Sequence, residues 1–348
     1  MPKIRVFIVD DSAIVREILA ERLSRHPSIE VVGTAMDPYI ARDKLDKVEA
    51  DVITLDIEMP RMDGLTFLRQ IMRHYPKPVI VVSSLARDGN AAALQALELG
   101  AVDVVPKPGG AVTVEEVVDA LTDKILAASK ADLSRLSETS RKLNAAPREN
   151  QAKKFLTSIE TTNRLIAVGA STGGTIALET LFLGWEPDFP PTLTVIHMPE
   201  RFTASFASRL NDMCRVRIKE AEDGERIMAG TVYIAPGGYH MILRTKGTER
   251  TLKIATGPKV CNQRPAVDPL FESVADQVGR NCLGILLTGM GRDGARGLLR
   301  IHEAGGHTIA QDEETSVVWG MPKEAIDLGA ADRVMALDRI APYVRTKV

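Results

Sequence analysis

At 348 residues the chain is long enough for two domains, each with a core of its own. Its 44 Lys and Arg against 46 Asp and Glu leave a net charge of −2, which gives no field to attract nucleic acid or an anionic membrane. Three isolated cysteines without C-x-x-C spacing (Cys214, Cys261, Cys282) argue against a zinc site or a disulfide framework. With no signal peptide and no apolar run of membrane-spanning length, the expected location is cytoplasmic, with no membrane insertion.

Residues 3 to about 128 alternate short apolar strands with amphipathic helices, the pattern of a parallel sheet covered on both faces. Five strands are expected, at 4–9, 29–35, 52–55, 79–82 and 102–105, and a helix from Ala13 to about Arg25. Asp10 and Asp11 follow the first strand, Asp56 the third, Ser83 and Ser84 the fourth, and Lys107 the fifth. All stand at carboxyl ends, where open α/β sheets bind ligands. Three carboxylates in one crevice repel unless a cation sits among them, and a hard divalent ion with oxygen ligands, Mg²⁺, meets that need. Asp56, alone at the end of a central strand, is the candidate nucleophile toward a phosphoryl group. Asp10 and Asp11 are better placed to grip the metal, while Lys107 neutralises phosphoryl oxygens and a serine hydroxyl donates to them. The competing roles are helix N-cap for Asp11 or Ser12, and solvated loop charges for Asp56 and Lys107.

Val9-Asp10-Asp11-Ser12, the stretch Leu55-Asp56-Ile57-Glu58-Met59-Pro60 through Gly64, and Lys107-Pro108 together resemble the receiver domain of two-component response regulators over residues 1–122. The resemblance implies a flavodoxin-like fold and phosphorylation of Asp56 by a chemotaxis histidine kinase. It also implies Mg²⁺ among Asp10, Asp11, Asp56 and the Glu58 backbone carbonyl, with Ser83 and Lys107 forming the switch. In that family the bond before the proline matching Pro108 is often cis. Residues 123–158 then lose the strand pattern and read as a helical tail and linker, with Pro147 its single proline and Arg141-Lys142 and Lys153-Lys154 as solvated basic pairs.

Residues 159–348 resume the strand–helix rhythm, with one β-hairpin expected from His240–Arg244 and Thr251–Ala255. At 22 Lys/Arg against 23 Asp/Glu and without a helix-turn-helix pattern, this half is not a DNA-binding output domain. The apolar run Leu165–Ala170 stops at Ser171 and is followed by Thr172-Gly173-Gly174 and a helix from Thr175 to about Leu183. This is the pattern of a nucleophile on a tight turn, faced by the backbone N–H groups of the helix start, with Thr172 as a candidate oxyanion donor. Serine needs a base. Among His197, His240, His302 and His307, His197 closes the run Leu193–Ile196 and so shares a rim with Ser171. Asp293, after the strand and glycine-rich loop that begin at Leu283, is the candidate orienter of the imidazole, with N-cap of the next helix as its alternative role. The Met290 N–H, between Gly289 and Gly291, is the expected oxyanion donor.

Gly169-Ala-Ser-Thr-Gly-Gly, Ile196-His-Met-Pro, Tyr233–Met241 and Leu287-Thr-Gly-Met-Gly-Arg-Asp-Gly-Ala resemble the chemotaxis protein-glutamate methylesterase family across this second half. The order Ser, His, Asp is not that of the α/β-hydrolases, and the implied fold is a Rossmann-like doubly wound sheet with a hairpin. The resemblance maps a catalytic triad onto Ser171, His197 and Asp293. It implies hydrolysis of glutamyl methyl esters on methyl-accepting chemotaxis receptors, and deamidation of receptor glutamines, without a cofactor for either. It also implies that the unphosphorylated receiver covers the hydrolase cleft. Two rival readings are a phosphorylation-gated binding module without catalysis and a nucleotide-dependent oxidoreductase. The second lacks the G-x-G-x-x-G fingerprint.

Overall fold

The structure is a computed structural model describing residues 2–84, 87–109, 113–135 and 163–348. The chain divides into two compact units, Met1–Ser140 and Arg141–Val348. Most of the expected linker, including Pro147 and both basic pairs, lies outside the described residues.

In the first unit, β1 (Ile4–Val9), β2 (Ile29–Ala35), β3 (Val52–Asp56), β4 (Val79–Ser83) and β5 (Asp103–Pro106) pair in parallel in the order β2-β1-β3-β4-β5. Every residue of β3 and β4 is buried, as expected of largely apolar strands covered on both faces. Strand order reverses between β1 and β3, which opens a crevice at their carboxyl ends and brings Asp10 and Asp56 to it. The helix Ala13–Ser24 is capped by Ser12, whose hydroxyl accepts the Val15 N–H, so Asp10 and Asp11 are free of that duty. The helix Val114–Ala128 starts at a Thr113/Glu116 capping box and packs Val117, Leu121, Ile125 and Ala128 into the core beneath β1 and β4. Lys107–Pro108 is trans, and Arg264–Pro265 is the cis bond among the described residues.

The second unit is built on a seven-stranded parallel sheet ordered β14-β13-β12-β6-β7-β9-β8, in which β8 is Arg217–Glu220 and β9 Thr231–Ile234, with a separate antiparallel hairpin β10 (His240–Lys246) and β11 (Glu249–Ala255). The hairpin strands run two residues further toward the turn than expected, because Gly247 (φ 63°) lets a two-residue loop close them. β6 (Leu165–Ala170) lies at the switch point, with β7 (Thr192–Ile196) on one side and β12 (Cys282–Leu286) on the other; β13 is His307–Gln311 and β14 Arg333–Met335. The carboxyl ends of β6, β7 and β12 therefore bound one crevice. Both units are α/β and doubly wound.

Candidate active site and carboxylate cluster

Ser171 leaves the end of β6 through a turn that only a small residue permits. Gly173 adopts φ 77°, and a Cβ there would lie 2.6 Å from Val317 Cβ; the helix Gly174–Leu183 then follows at once, one residue earlier than expected. His197 follows β7, whose last residue Ile196 sits in register with Ala170, so the two side chains emerge side by side. His197 Nδ1 is 3.1 Å from Ser171 Oγ, and its Nε2 is 2.7 Å from Asp293 Oδ2. All three residues are buried, Ser171 at 9% exposure and Asp293 at 1%. The three expected residues thus meet as one hydrogen-bonded chain.

Asp293 does not cap the helix that follows it, Ala295–Glu303, whose N-cap is Gly294. Its carboxylate instead accepts the backbone N–H groups of Val267 (2.6 Å, Oδ2) and Asp268 (3.0 Å, Oδ1), the first turn of the helix Val267–Val278. Burial pushes this carboxyl up, but the His197 hydrogen bond and charge and the two N–H donors outweigh it and hold Asp293 below the ordinary aspartate range. It is therefore ionised at neutral pH and oriented toward the imidazole.

The support for the serine turn comes from residues that the strand-end reading passed over. The Ser171 N–H is spent on the Thr288 carbonyl (3.0 Å), which removes it as an oxyanion donor. The Thr288 hydroxyl lies 3.0 Å from the Thr172 carbonyl and accepts the Val318 N–H at 3.0 Å. The Thr288 N–H donates to Oε1 of the fully buried Gln311 (2.8 Å), whose Nε2 donates to the Thr315 carbonyl (2.8 Å). Gln311 is a polar residue ending β13, the same signal that picked out Ser171 and His197, and could have been found by it. Gly289 packs on the serine: a Cβ there would be 2.7 Å from Ser171 Cβ and 2.3 Å from Met321 Sδ. Its carbonyl accepts the N–H groups of Gly320 and Met321, which fixes the loop carrying Met290. Trp319 is half-buried and forms an isolated parallel bridge with Gly289.

The other three histidines lie outside this chain of contacts. His240 is engaged with the Pro258 carbonyl and the Ala266 N–H, His302 pairs with Asp332, and His307 is exposed at the start of β13.

In the first unit, carboxylate oxygens of Asp10, Asp11 and Asp56 lie within 4.8 Å of one another. Lys107 Nζ is 2.5 Å from Asp56 Oδ2 and 3.7 Å from Asp10 Oδ2. The Glu58 N–H donates to Asp56 Oδ1 at 3.0 Å. Burial raises the Asp10 carboxyl, and it pushes Asp56 up to about 6 despite the Lys107 hydrogen bond. Asp10 Oδ2 is buried without a hydrogen-bond partner, so one ammonium leaves this all-oxygen cluster under-compensated. Its donor set fits a hard divalent cation. Ser83 is buried at the end of β4, and its carbonyl accepts the Lys107 N–H (2.8 Å), which couples the two expected switch positions through the backbone. Ser84 hydrogen-bonds the Glu58 carboxylate at 2.7 Å.

Comparison with known proteins follows the same division. Residues 166–344 match the family model for CheB methylesterase, and residues 6–119 match the response regulator receiver domain. A protein-glutamate methylesterase/protein-glutamine glutaminase of Syntrophus aciditrophicus is 51% identical over 344 residues, 99% of either chain. A protein of the same description from Sulfurimonas denitrificans is 48% identical, over 97% of this chain and 96% of its own. The crystal structure of the Thermotoga maritima CheB methylesterase catalytic domain superposes with a TM-score of 0.52 at 38% identity, covering 53% of this chain and 98% of that one.

Proposed function

Because the chain belongs to the CheB methylesterase family and carries a response regulator receiver ahead of the family domain, we propose that it is a phosphorylation-controlled protein-glutamate methylesterase and protein-glutamine glutaminase acting on methyl-accepting chemotaxis receptors. The observation that carries the reading is His197 bridging Ser171 and Asp293.

In this reading the neutral imidazole keeps its proton on Nε2, facing Asp293, and Nδ1 takes the Ser171 proton as Oγ attacks the ester carbonyl. The oxyanion is received by the Met290 N–H with that of Thr172, the Ser171 N–H being already committed. The imidazolium returns its proton to the departing methoxide, which leaves as methanol; water, deprotonated by the same nitrogen, then attacks the acyl-serine and releases glutamate, and the proton passes back to the departing Ser171 Oγ. With a glutamine side chain the leaving group is ammonia, and the product is the same carboxylate.

Asp56 is the proposed phosphoryl acceptor, and a histidine kinase of the chemotaxis pathway the donor. Asp10, Asp11, Asp56 and the Glu58 carbonyl would hold Mg²⁺, which when bound supplies charge compensation for the phosphoryl oxygens. Lys107 is poised to pair with the phosphorylated Asp56, and Ser83 to donate its hydroxyl. The deciding measurement is methanol release from methylated receptor membranes, with and without a phosphodonor. No release in either condition ends the reading.

A further inference from the structure

Neither of the helices that meet behind the triad is capped by its own N-cap residue. Ala266 precedes Val267–Val278 and Gly294 precedes Ala295–Glu303, and neither offers a side-chain acceptor. Each helix takes its cap from the other's segment. Asp293, just before the second helix, accepts the Val267 and Asp268 N–H groups of the first. Asp268, in the first helix, accepts the Gly297 N–H of the second at 2.8 Å. The fit is close: a Cβ on Gly297 would sit 3.1 Å from Asp268 Oδ1 and 2.5 Å from Phe271 Cβ. Asp268 is 6% exposed, and one of its oxygens lies within 4.8 Å of an Asp293 oxygen. Two buried like charges at this range repel, and two helix N-termini, each with N–H donors that have no partner within their own helix and a positive dipole end, converge on them and offset part of that repulsion.

We propose that Asp268 is a positioning residue for the esterase: by closing the reciprocal cap it locks the loop of Asp293 against the helix that orients that carboxylate, and so holds the His197 ring on Ser171. The groups facing Asp268 are Asp293 and Cys261 from neighbouring segments, Glu272 from its own helix, and Arg292 beside Cys261. None of the four supplies a second acceptor for the Gly297 N–H.

The inference rests on the esterase reading, and its test separates the two in the full-length protein. In Asp268→Ala the cap is lost; kcat for methanol release should fall about tenfold with KM within about twofold, the pattern of a misoriented base rather than lost binding. Asp268→Asn keeps an acceptor for Gly297 and should recover most of kcat. A one-dimensional proton spectrum gives an activity-independent readout. The His197–Asp293 proton, expected well downfield, should broaden or shift in Asp268→Ala and persist in Asp268→Asn. If the alanine variant does not fold, Asp268→Ser, too short to reach Gly297, takes its place with the same expected loss. Wild-type turnover reports the esterase reading, and the resonance reports the cap. A folded Ala or Ser variant with wild-type kcat and an unshifted resonance overturns the proposal, as does an Asn variant as impaired as Ala.

Discussion

His197 turns Nδ1 toward Ser171 Oγ at 3.1 Å, leaving Nε2 to face Asp293 at 2.7 Å. Because Asp293 is ionised, the ring proton belongs on Nε2, and the nitrogen facing the serine is then left without a proton, as the proposed base requires. An amide at position 293 reverses this. Asp293→Asn can donate to Nε2, which moves the ring proton to Nδ1, where it points at the hydroxyl it should deprotonate. We expect a loss in kcat on the order of 10³–10⁴. Ser171→Ala should abolish methanol release in a protein with an unchanged circular dichroism spectrum, since one hydroxyl is deleted. Near-normal turnover by folded Ser171→Ala removes the acyl-serine route, and near-normal turnover by Asp293→Asn removes Asp293 as the orienter of the imidazole.

Gln311 holds Thr288, and Thr288 holds the serine turn, so a residue with no access to substrate should still matter. Gln311→Ala leaves the Thr288 N–H buried without its acceptor, which costs about 1–3 kcal/mol of stability. Both tryptophans, Trp185 and Trp319, lie in the second unit, so urea unfolding followed by their fluorescence reports that unit alone. The same variant should lose several-fold in kcat. Unchanged midpoint and unchanged kcat would show that the turn holds itself.

Strand ends made much of this legible in advance. Val/Ile runs ending in Asp10, Asp56, Ser171 and His197 gave both sheets and the crevice residues, because parallel strands buried on both faces are apolar until they emerge. Asp293 was harder: it stands seven residues beyond β12, and its carboxylate caps a helix that begins 26 residues earlier in the chain. Local spacing cannot encode that pairing. Asp268 was passed over for the same reason, since in sequence it is one acidic residue in a first helical turn. Only the meeting of two helices makes it an acceptor for Gly297. The glycines at 173 and 289 were legible as turn residues, but not as the surfaces on which Val317 and Ser171 pack.

Asp268 should also carry a stability cost with a defined pH dependence. Burial, opposed by the Gly297 N–H and reinforced by the Asp293 charge, pushes its carboxyl up to about 6 from 3.8. The folded state then binds more protons than the unfolded state between those values, so stability falls as pH rises from about 4 to about 6 and the penalty is complete above that. Asp268→Asn removes it. The variant should match wild type near pH 4 and exceed it above pH 6.5 by about 2–3 kcal/mol, measured by tryptophan fluorescence in urea. A difference that does not change with pH would mean that the carboxyl titrates alike folded and unfolded.

In the first unit the deciding dependence is on metal. A small phosphodonor should label Asp56 in Mg²⁺, and neither Asp56→Asn nor the wild type in EDTA should incorporate label. Asp10→Asn removes the buried oxygen that has no hydrogen-bond partner and should raise the Mg²⁺ concentration for half-maximal labelling at least about tenfold. Label retained in EDTA would place the chemistry elsewhere.

The chemistry at Asp56 and the chemistry at Ser171 belong to separate compact units, so phosphorylation can change turnover only if the two forms of the receiver act differently on the second unit. The bias required is small. Moving an equilibrium from largely restrained to largely released takes a few kcal/mol, and about 5.5 kcal/mol takes it from 1:99 to 99:1. Contacts of a phosphoryl group with Lys107 and Ser83 are of that order. If the unphosphorylated receiver restrains the hydrolase, a fragment beginning near residue 151 should turn over faster than the intact protein, and phosphorylation should raise the intact protein toward the fragment. If the phosphorylated receiver instead contributes directly, the phosphorylated intact protein should outpace the fragment. Turnover of the three species on the same receptor membranes separates these modes, and a folded fragment no faster than the unphosphorylated intact protein excludes restraint.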